Sequence, residues 1–138
     1  MTENKPRVFW YYGGMASGKS HSAREFCQNV NRDTDYPKID FKEDCLSRAV
    51  ACDELDDRPP YEINEYIEHV AQLCGPSPEP TKIINGHRFK PEYVVVCSFV
   101  HPRERLNIDN PIHRQLLESI DEIYHCQRNG KTFKVNEE

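Results

Sequence analysis

The chain has 138 residues, 37% of them hydrophobic and 30% charged, with a formal net charge of −5. That length suits a single domain with its own core, in no need of disulfide or metal staples. Mean hydropathy is −0.82, yet the apolar runs VFWYY and YVVVC argue against a disordered chain. No run approaches the ~20 residues that span a bilayer, and the start MTENKPR carries no signal-peptide core. Membrane and secreted classes are thereby disfavoured.

The chain reads in order as follows. Residues 7–12 are β-branched and aromatic and run into Gly13 and Gly14, which predicts a buried strand. From Lys19 to about Val30, Ala23, Phe26, Cys27 and Val30 recur at helical spacing. Residues 31–35 are turn-rich, residues 38–41 read as a short strand, and residues 49–52 as an apolar strand ending in DELDD. Pro59 and Pro60 open a helix over roughly Glu62 to Cys74, with Ile63, Tyr66, Ile67, Val70, Leu73 and Cys74 on its apolar face. GPSPEP is a stiff loop. Residues 81–84 and 87–90 flank Asn85 and Gly86, a hairpin signal. Residues 93–98 form the most hydrophobic strand, 99–110 a polar loop, and 112–120 a helix. Residues 124–126 and 132–135 flank Asn129 and Gly130 as a terminal hairpin. Helices that alternate with short apolar strands predict an α/β fold with a mainly parallel sheet flanked by helices. One domain over 1–138 is expected, with flexible ends at 1–6 and 136–138.

Charge is unevenly spread. Residues 33–80 carry 13 acidic side chains against 4 basic ones, while residues 81–114 carry 6 basic against 3 acidic, and three histidines. The second stretch is a candidate basic surface on an acidic body, although ordinary solvated side chains give the same pattern. The six cysteines show no C-x-x-C and no zinc-type spacing with histidine. With no secretion signal, a reduced intracellular protein without a structural metal site is expected.

The strongest chemical signal is GGMASGKS at residues 13–20, which is G-x-x-x-x-G-K-[ST] between a predicted strand and a predicted helix. Loop amides at a helix start bind phosphate oxygens. The candidate nucleotide-binding residues are therefore Gly13, Gly14, Met15, Ala16, Ser17, Gly18, Lys19, Ser20 and His21. Lys19 would reach the β- and γ-phosphates of ATP, and the Ser20 hydroxyl would ligate Mg²⁺. About thirty residues on, AVACDE places Asp53 and Glu54 at an apolar strand end. Asp53 is the candidate Mg²⁺ holder, and Glu54 the candidate general base for the attacking water. Alone, an acidic strand end is commonplace; after a phosphate loop it gains meaning.

Taken together, these stretches resemble the superfamily 3 helicase domain of Rep proteins from circular, circovirus-like single-stranded DNA viruses. VFWYYGGMASGKSHSAREF matches their Walker A region and AVACDEL their Walker B. NEYIEHVAQLCGPSPEPTKIINGHRFKPEYVVVCSF resembles the run through the B′ hairpin to motif C, and PIHRQLLESIDEIYHC the arginine-finger segment. The resemblance implies a P-loop, AAA+-like ATPase with a β-hairpin inserted before the motif C strand. It implies ATP hydrolysis with Mg²⁺, which drives translocation on single-stranded DNA in rolling-circle replication. Arg114 becomes the finger that acts on a neighbouring subunit of a homohexamer, though a lone domain could be monomeric. Lys82, His87, Arg88 and Lys90 become the DNA-facing cations of the hairpin, and the host nucleus the place of action.

The chain departs from the family in three respects. The B′ hairpin often carries a Lys followed by glycines, whereas here Lys82, Arg88 and Lys90 surround a single Asn-Gly turn. Motif C usually ends in Asn, whereas VVVCSFVHP puts Phe99 in that slot, or Ser98 after a shift of one. Ser98 is the candidate water-orienting residue, since a hydroxyl can orient water and a phenyl ring cannot. The family's N-terminal nuclease domain is not part of this sequence, so an excised domain or a truncated relative is expected. Three other readings stay open: a P-loop kinase for a small molecule or nucleotide with HPRER as its lid, a picornavirus-like RNA helicase domain of the same superfamily, which the span between Walker B and motif C favours less, and a nucleotide-binding module with little turnover.

Overall fold

The computed structural model describes residues 4–128 and 131–135. Its elements in chain order are β1 (Arg7–Tyr12), α1 (Lys19–Asn31), β2 (Ala49–Cys52), α2 (Pro60–Cys74), β3 (Lys82–Ile84), β4 (His87–Phe89), β5 (Tyr93–Ser98), α3 (Pro102–Arg105), α4 (Pro111–Ser119), β6 (Glu122–Cys126) and β7 (Thr132–Val135). Five strands form one sheet in the order β2-β5-β1-β6-β7. The first four are mutually parallel, and β7 adds antiparallel to β6. The expected α/β architecture with a mainly parallel sheet is therefore present. β3 and β4 form a separate two-stranded hairpin.

Strand alternation divides the core into two layers. Val8 and Trp10 of β1, Val50 and Cys52 of β2, and Val94 and Val96 of β5 share one cluster with Tyr66, Ile67, Val70 and Leu73 of α2 and Leu116 of α4. The intervening residues Ala49, Ala51, Val95 and Cys97 pack against Ala23 and Cys27 of α1. Both sheet faces are covered, which is why β5 reads as an unbroken apolar run rather than an alternating one. The α1 face carries small residues, so α1 can lie close to the sheet.

The hairpin turns at Asn85 and Gly86, both with positive φ (53° and 79°), as a tight two-residue turn demands. It does not project freely. Ile84 and Phe89 are buried in the α2-side core, and the Asn85 side-chain amide donates to Phe41 O at 2.8 Å.

Three predicted elements differ. The expected strand at 38–41 is only an isolated bridge of Lys38 to Ala51, because Phe41 turns to φ 64° to place its ring against Tyr66 and Phe89. The predicted polar loop 99–110 contains α3, opened by His101, whose Nδ1 accepts from Arg103 N, and by Pro102 at the first helical position. Asn4–Pro6, expected as part of a flexible end, are tied down: Asn4 bridges Ser77, Lys5 Nζ donates to Ser119 O at 2.9 Å, and Pro6 is buried. The expected turn at Asn129 and Gly130 and the expected flexible end at 136–138 lie outside the described residues.

The topology creates a crevice. After β1 the chain turns to α1 on one face of the sheet; after its neighbour β5 it turns through α3 to α4, which packs on the other face. Where adjacent parallel strands send their connections to opposite faces, their carboxyl ends open a binding crevice. The loop at residues 13–18 and Phe99 both stand at that point. No helix among the described residues is long and apolar enough to cross a membrane.

Candidate phosphate-binding site

The loop between β1 and α1 begins as an extension of the sheet, with Gly13 N donating to Ser98 O at 3.2 Å. It then folds back, Ser17 N donating to Gly14 O at 3.3 Å, with Ala16 at φ 61° and Gly18 at φ 87°. The first intrahelical bond of α1 runs from Ser22 N to Gly18 O, so the amides of Lys19, Ser20 and His21 precede it. No side chain caps this helix start, and its first turn holds no acidic residue. Unsatisfied amides and the positive end of the helix dipole favour an anion there. Ser17 is buried, and its Oγ has no hydrogen-bond partner among the described residues. Met15 stands out into solvent, and His21 faces Glu25 one turn along the exposed side of α1.

Lys19 lies over the loop. Its Nζ is 3.4 Å from Gly14 O and 4.5 Å from the centroid of the Phe99 ring. It makes no ion pair among the described residues. The following Ser20 Oγ donates to Asp53 Oδ1 at 3.2 Å. Asp53 is only 6% exposed, and its carboxylate accepts two further donors: Oδ1 also accepts Glu54 N at 2.8 Å, and Oδ2 accepts the Tyr36 hydroxyl at 2.8 Å. The loop and the acidic strand end therefore meet, although β5 separates their strands in the sheet. Small residues on the α1 face permit this approach across β5.

Glu54 is brought near but turned. It sits at φ 58° and pairs with Lys38 at 3.2 Å, and both side chains are largely solvent-accessible. Asp53, Glu54, Lys38, Arg58 and Glu62 line a cavity of about 390 Å³ beside the strand end.

Ser98 meets the loop only through its carbonyl, which accepts Gly13 N; its side chain is turned away. It continues the α2-side face of β5, is 1% exposed, and donates to Asp56 Oδ2 at 2.7 Å while accepting Val100 N at 3.3 Å. The water-orienting role read for Ser98 therefore finds its hydroxyl already committed. Phe99, one residue on and on the α1 side, is the one against Lys19. Asp56 fixes this corner: Oδ2 also accepts Phe99 N at 2.6 Å, and Oδ1 pairs with Arg105 Nε at 3.2 Å. Arg105 of HPRER is thus held inward.

The hairpin cations separate. Lys82 was expected at a DNA surface; it is 8% exposed, and Nζ donates to Leu73 O at 2.6 Å, to Gly75 O, and to Gln72 O at 3.4 Å. It caps the carbonyl end of α2, whose own last turn has no basic residue. Burial pulls its pKa down to about 8, so it is still an ammonium at neutral pH. His87 and Arg88 both face Asp44, Arg88 Nε at 3.0 Å, whereas Lys90 is exposed. Arg114 is exposed on α4 and makes no contact with the phosphate loop among the described residues.

Lys82→Met is expected to lower stability by about 2 kcal/mol, because the buried carbonyls of Leu73 and Gly75 lose a charged donor. Urea unfolding measures that loss, and an unchanged midpoint would return Lys82 to the surface role.

Sequence reasoning missed Tyr36, Lys38 and Asp56 as partners at this site, and read Arg105 only as part of an HPRER lid. No group of three or more His, Cys, Asp or Glu side chains placed to hold a metal occurs among the described residues. No family model matches the chain, and no curated protein matches it.

Proposed function

We propose that the chain is a Mg²⁺-dependent, P-loop ATPase that acts on single-stranded DNA, in the manner of the superfamily 3 Rep helicase domains it resembles. The observation that carries this reading is the 3.2 Å hydrogen bond between Ser20 and Asp53. It joins a hydroxyl at a phosphate loop to a buried carboxylate 33 positions later, and two hard oxygens so placed suit Mg²⁺. The anion-ready helix start beside them suits the nucleotide phosphates.

In this reading the amides of residues 18–21 hold phosphate oxygens, and Lys19 leaves Gly14 and Phe99 for the β- and γ-phosphates. Ser20 and Asp53 hold Mg²⁺, which supplies neutralisation of the charge on the transferred phosphoryl group. Glu54 takes the proton of the attacking water once Lys38 releases it. Arg114, free of intramolecular duties in the described structure, stabilises γ-phosphate charge on a neighbouring subunit. Arg88 and Lys90 of the hairpin contact DNA phosphates without regard to sequence. An intracellular, nuclear setting belongs to the same reading.

One observation favours a second reading, a nucleotide-binding module with little turnover. Phe99 occupies the position beside Lys19 where a polar, water-orienting group would serve hydrolysis, and Ser98 is turned to Asp56.

Phosphate release from ATP, followed across protein concentrations with and without single-stranded DNA, separates the two. The ATPase reading expects slow turnover that rises with protein concentration and severalfold more with DNA. ATP binding without release at any concentration supports the module, and no ATP binding overturns both.

A further inference from the structure

We propose that Tyr36 is a positioning residue for the divalent cation: its hydroxyl fixes the Asp53 carboxylate so that Oδ1 stays facing Ser20. This rests on the reading of Ser20 and Asp53 as the Mg²⁺ pair and assigns a third member to it. Asp53 can rotate about two side-chain bonds, and a rotated carboxylate no longer meets Ser20. Two hydrogen bonds to Oδ1 do not prevent this, since one comes from the adjacent Glu54 amide and the other from a serine hydroxyl that itself rotates. The bond from Tyr36 to Oδ2 at 2.8 Å is the one that anchors the far oxygen.

Tyr36 is equipped for that task. It comes from the segment between α1 and β2, and its ring packs against the core layer beneath α1. The Arg24 guanidinium of α1 lies over the ring at 5.1 Å, so the same helix that opens the phosphate loop holds the tyrosine. Groups that hold a metal-binding carboxylate from behind control metal affinity by about 10–100-fold.

The test is Tyr36→Phe, which keeps the ring and removes only the hydroxyl. Mn²⁺ serves as the probe, its binding in the presence of ADP followed by electron paramagnetic resonance, and ADP binding in EDTA is measured in parallel. The variant is expected to bind Mn²⁺ about tenfold more weakly, with metal-free ADP affinity close to wild type and a melting temperature only a few degrees lower. Mn²⁺ affinity within twofold of wild type overturns the inference. So does an equal loss of ADP affinity in EDTA, which would mark Tyr36 as a general support of the fold. Tyr36→Leu, which also lacks the donor, must weaken Mn²⁺ binding at least as much, and a Leu variant with wild-type affinity is likewise fatal. Wild-type protein that binds no Mn²⁺ with ADP overturns the underlying phosphate-site reading, an outcome distinct from a Phe variant that matches a binding wild type.

Discussion

Asp53→Asn is expected to lower Mg²⁺-dependent phosphate release by a few hundredfold while leaving the fold intact. The carboxylate is buried against Ser20, and it is the group that would face a cation. Its replacement by an amide keeps one oxygen for Ser20 and the Glu54 amide and offers an NH₂ group to Tyr36, whose hydroxyl can turn from donor to acceptor. Hydrogen bonding is therefore largely conserved and stability should change by no more than about 1 kcal/mol. What is lost is a fixed negative charge, and the loss of one oriented electrostatic group in a water-poor site costs on the order of 10²–10³ in rate. Phosphate release under saturating Mg²⁺, set beside urea unfolding, reads both quantities. Rate and stability falling together would instead make Asp53 a structural residue. An unchanged rate would remove Asp53 from the metal site and, with it, the observation on which the proposed activity rests.

Much of this candidate site is legible in the sequence because its residues are close together along the chain. A glycine-rich turn between a strand and a helix, followed at once by Lys and Ser, leaves the backbone few alternatives, and the loop forms where GGMASGKS stands. The pairing of Ser20 with Asp53 was legible one step less directly, through an apolar four-residue strand that ends in an acid. What escaped were side chains whose partners arrive from elsewhere. Nothing around Tyr36 marks it as the neighbour of Asp53, because segment 32–48 has little regular structure and its path is set by Phe41 and Tyr66 in the core. Ser98 was read one residue out of phase: on a strand, adjacent residues face opposite sides, and Ser98 belongs to the α2 face with Val94 and Val96. Lys82 shows the limit of charge counting. A cation near a hairpin looks like a phosphate contact until the helix ahead of it, α2, is seen to end with bare carbonyls. The missing base in the last turn of α2 was a signal available in the sequence, as was the His-Pro pair that opens α3.

Gly13→Ala should destabilise the protein by about 3 kcal/mol, the upper range for forcing an extra methyl group into a packed site, and Gly14→Ala should not. Both glycines stand in the same loop, side by side, and composition cannot tell them apart. A Cβ on Gly13 would lie 2.4 Å from Cys126 O and 2.6 Å from Ser17 Oγ, whereas one on Gly14 would meet nothing within 4 Å. Neither obstacle at Gly13 yields cheaply. Cys126 O belongs to the end of β6, locked between β1 and β7, and Ser17 is buried in the turn of the loop. Relief must come from moving the loop outward, which breaks the bond of Gly13 N to Ser98 O and shifts Lys19 and Ser20 with it. The melting temperature of Gly13→Ala is then expected to fall by roughly 10 °C, and nucleotide affinity to fall even at temperatures where the variant is fully folded. Gly14→Ala, with open space and no left-handed backbone to oppose it, should melt within ~2 °C of wild type. If the two variants behave alike, the close approach of the loop to β6 does not govern the site. If only Gly13→Ala loses nucleotide binding, the glycine is there because the backbone of β6 leaves no room for a side chain, and the position of the phosphate loop is set by the sheet that carries it.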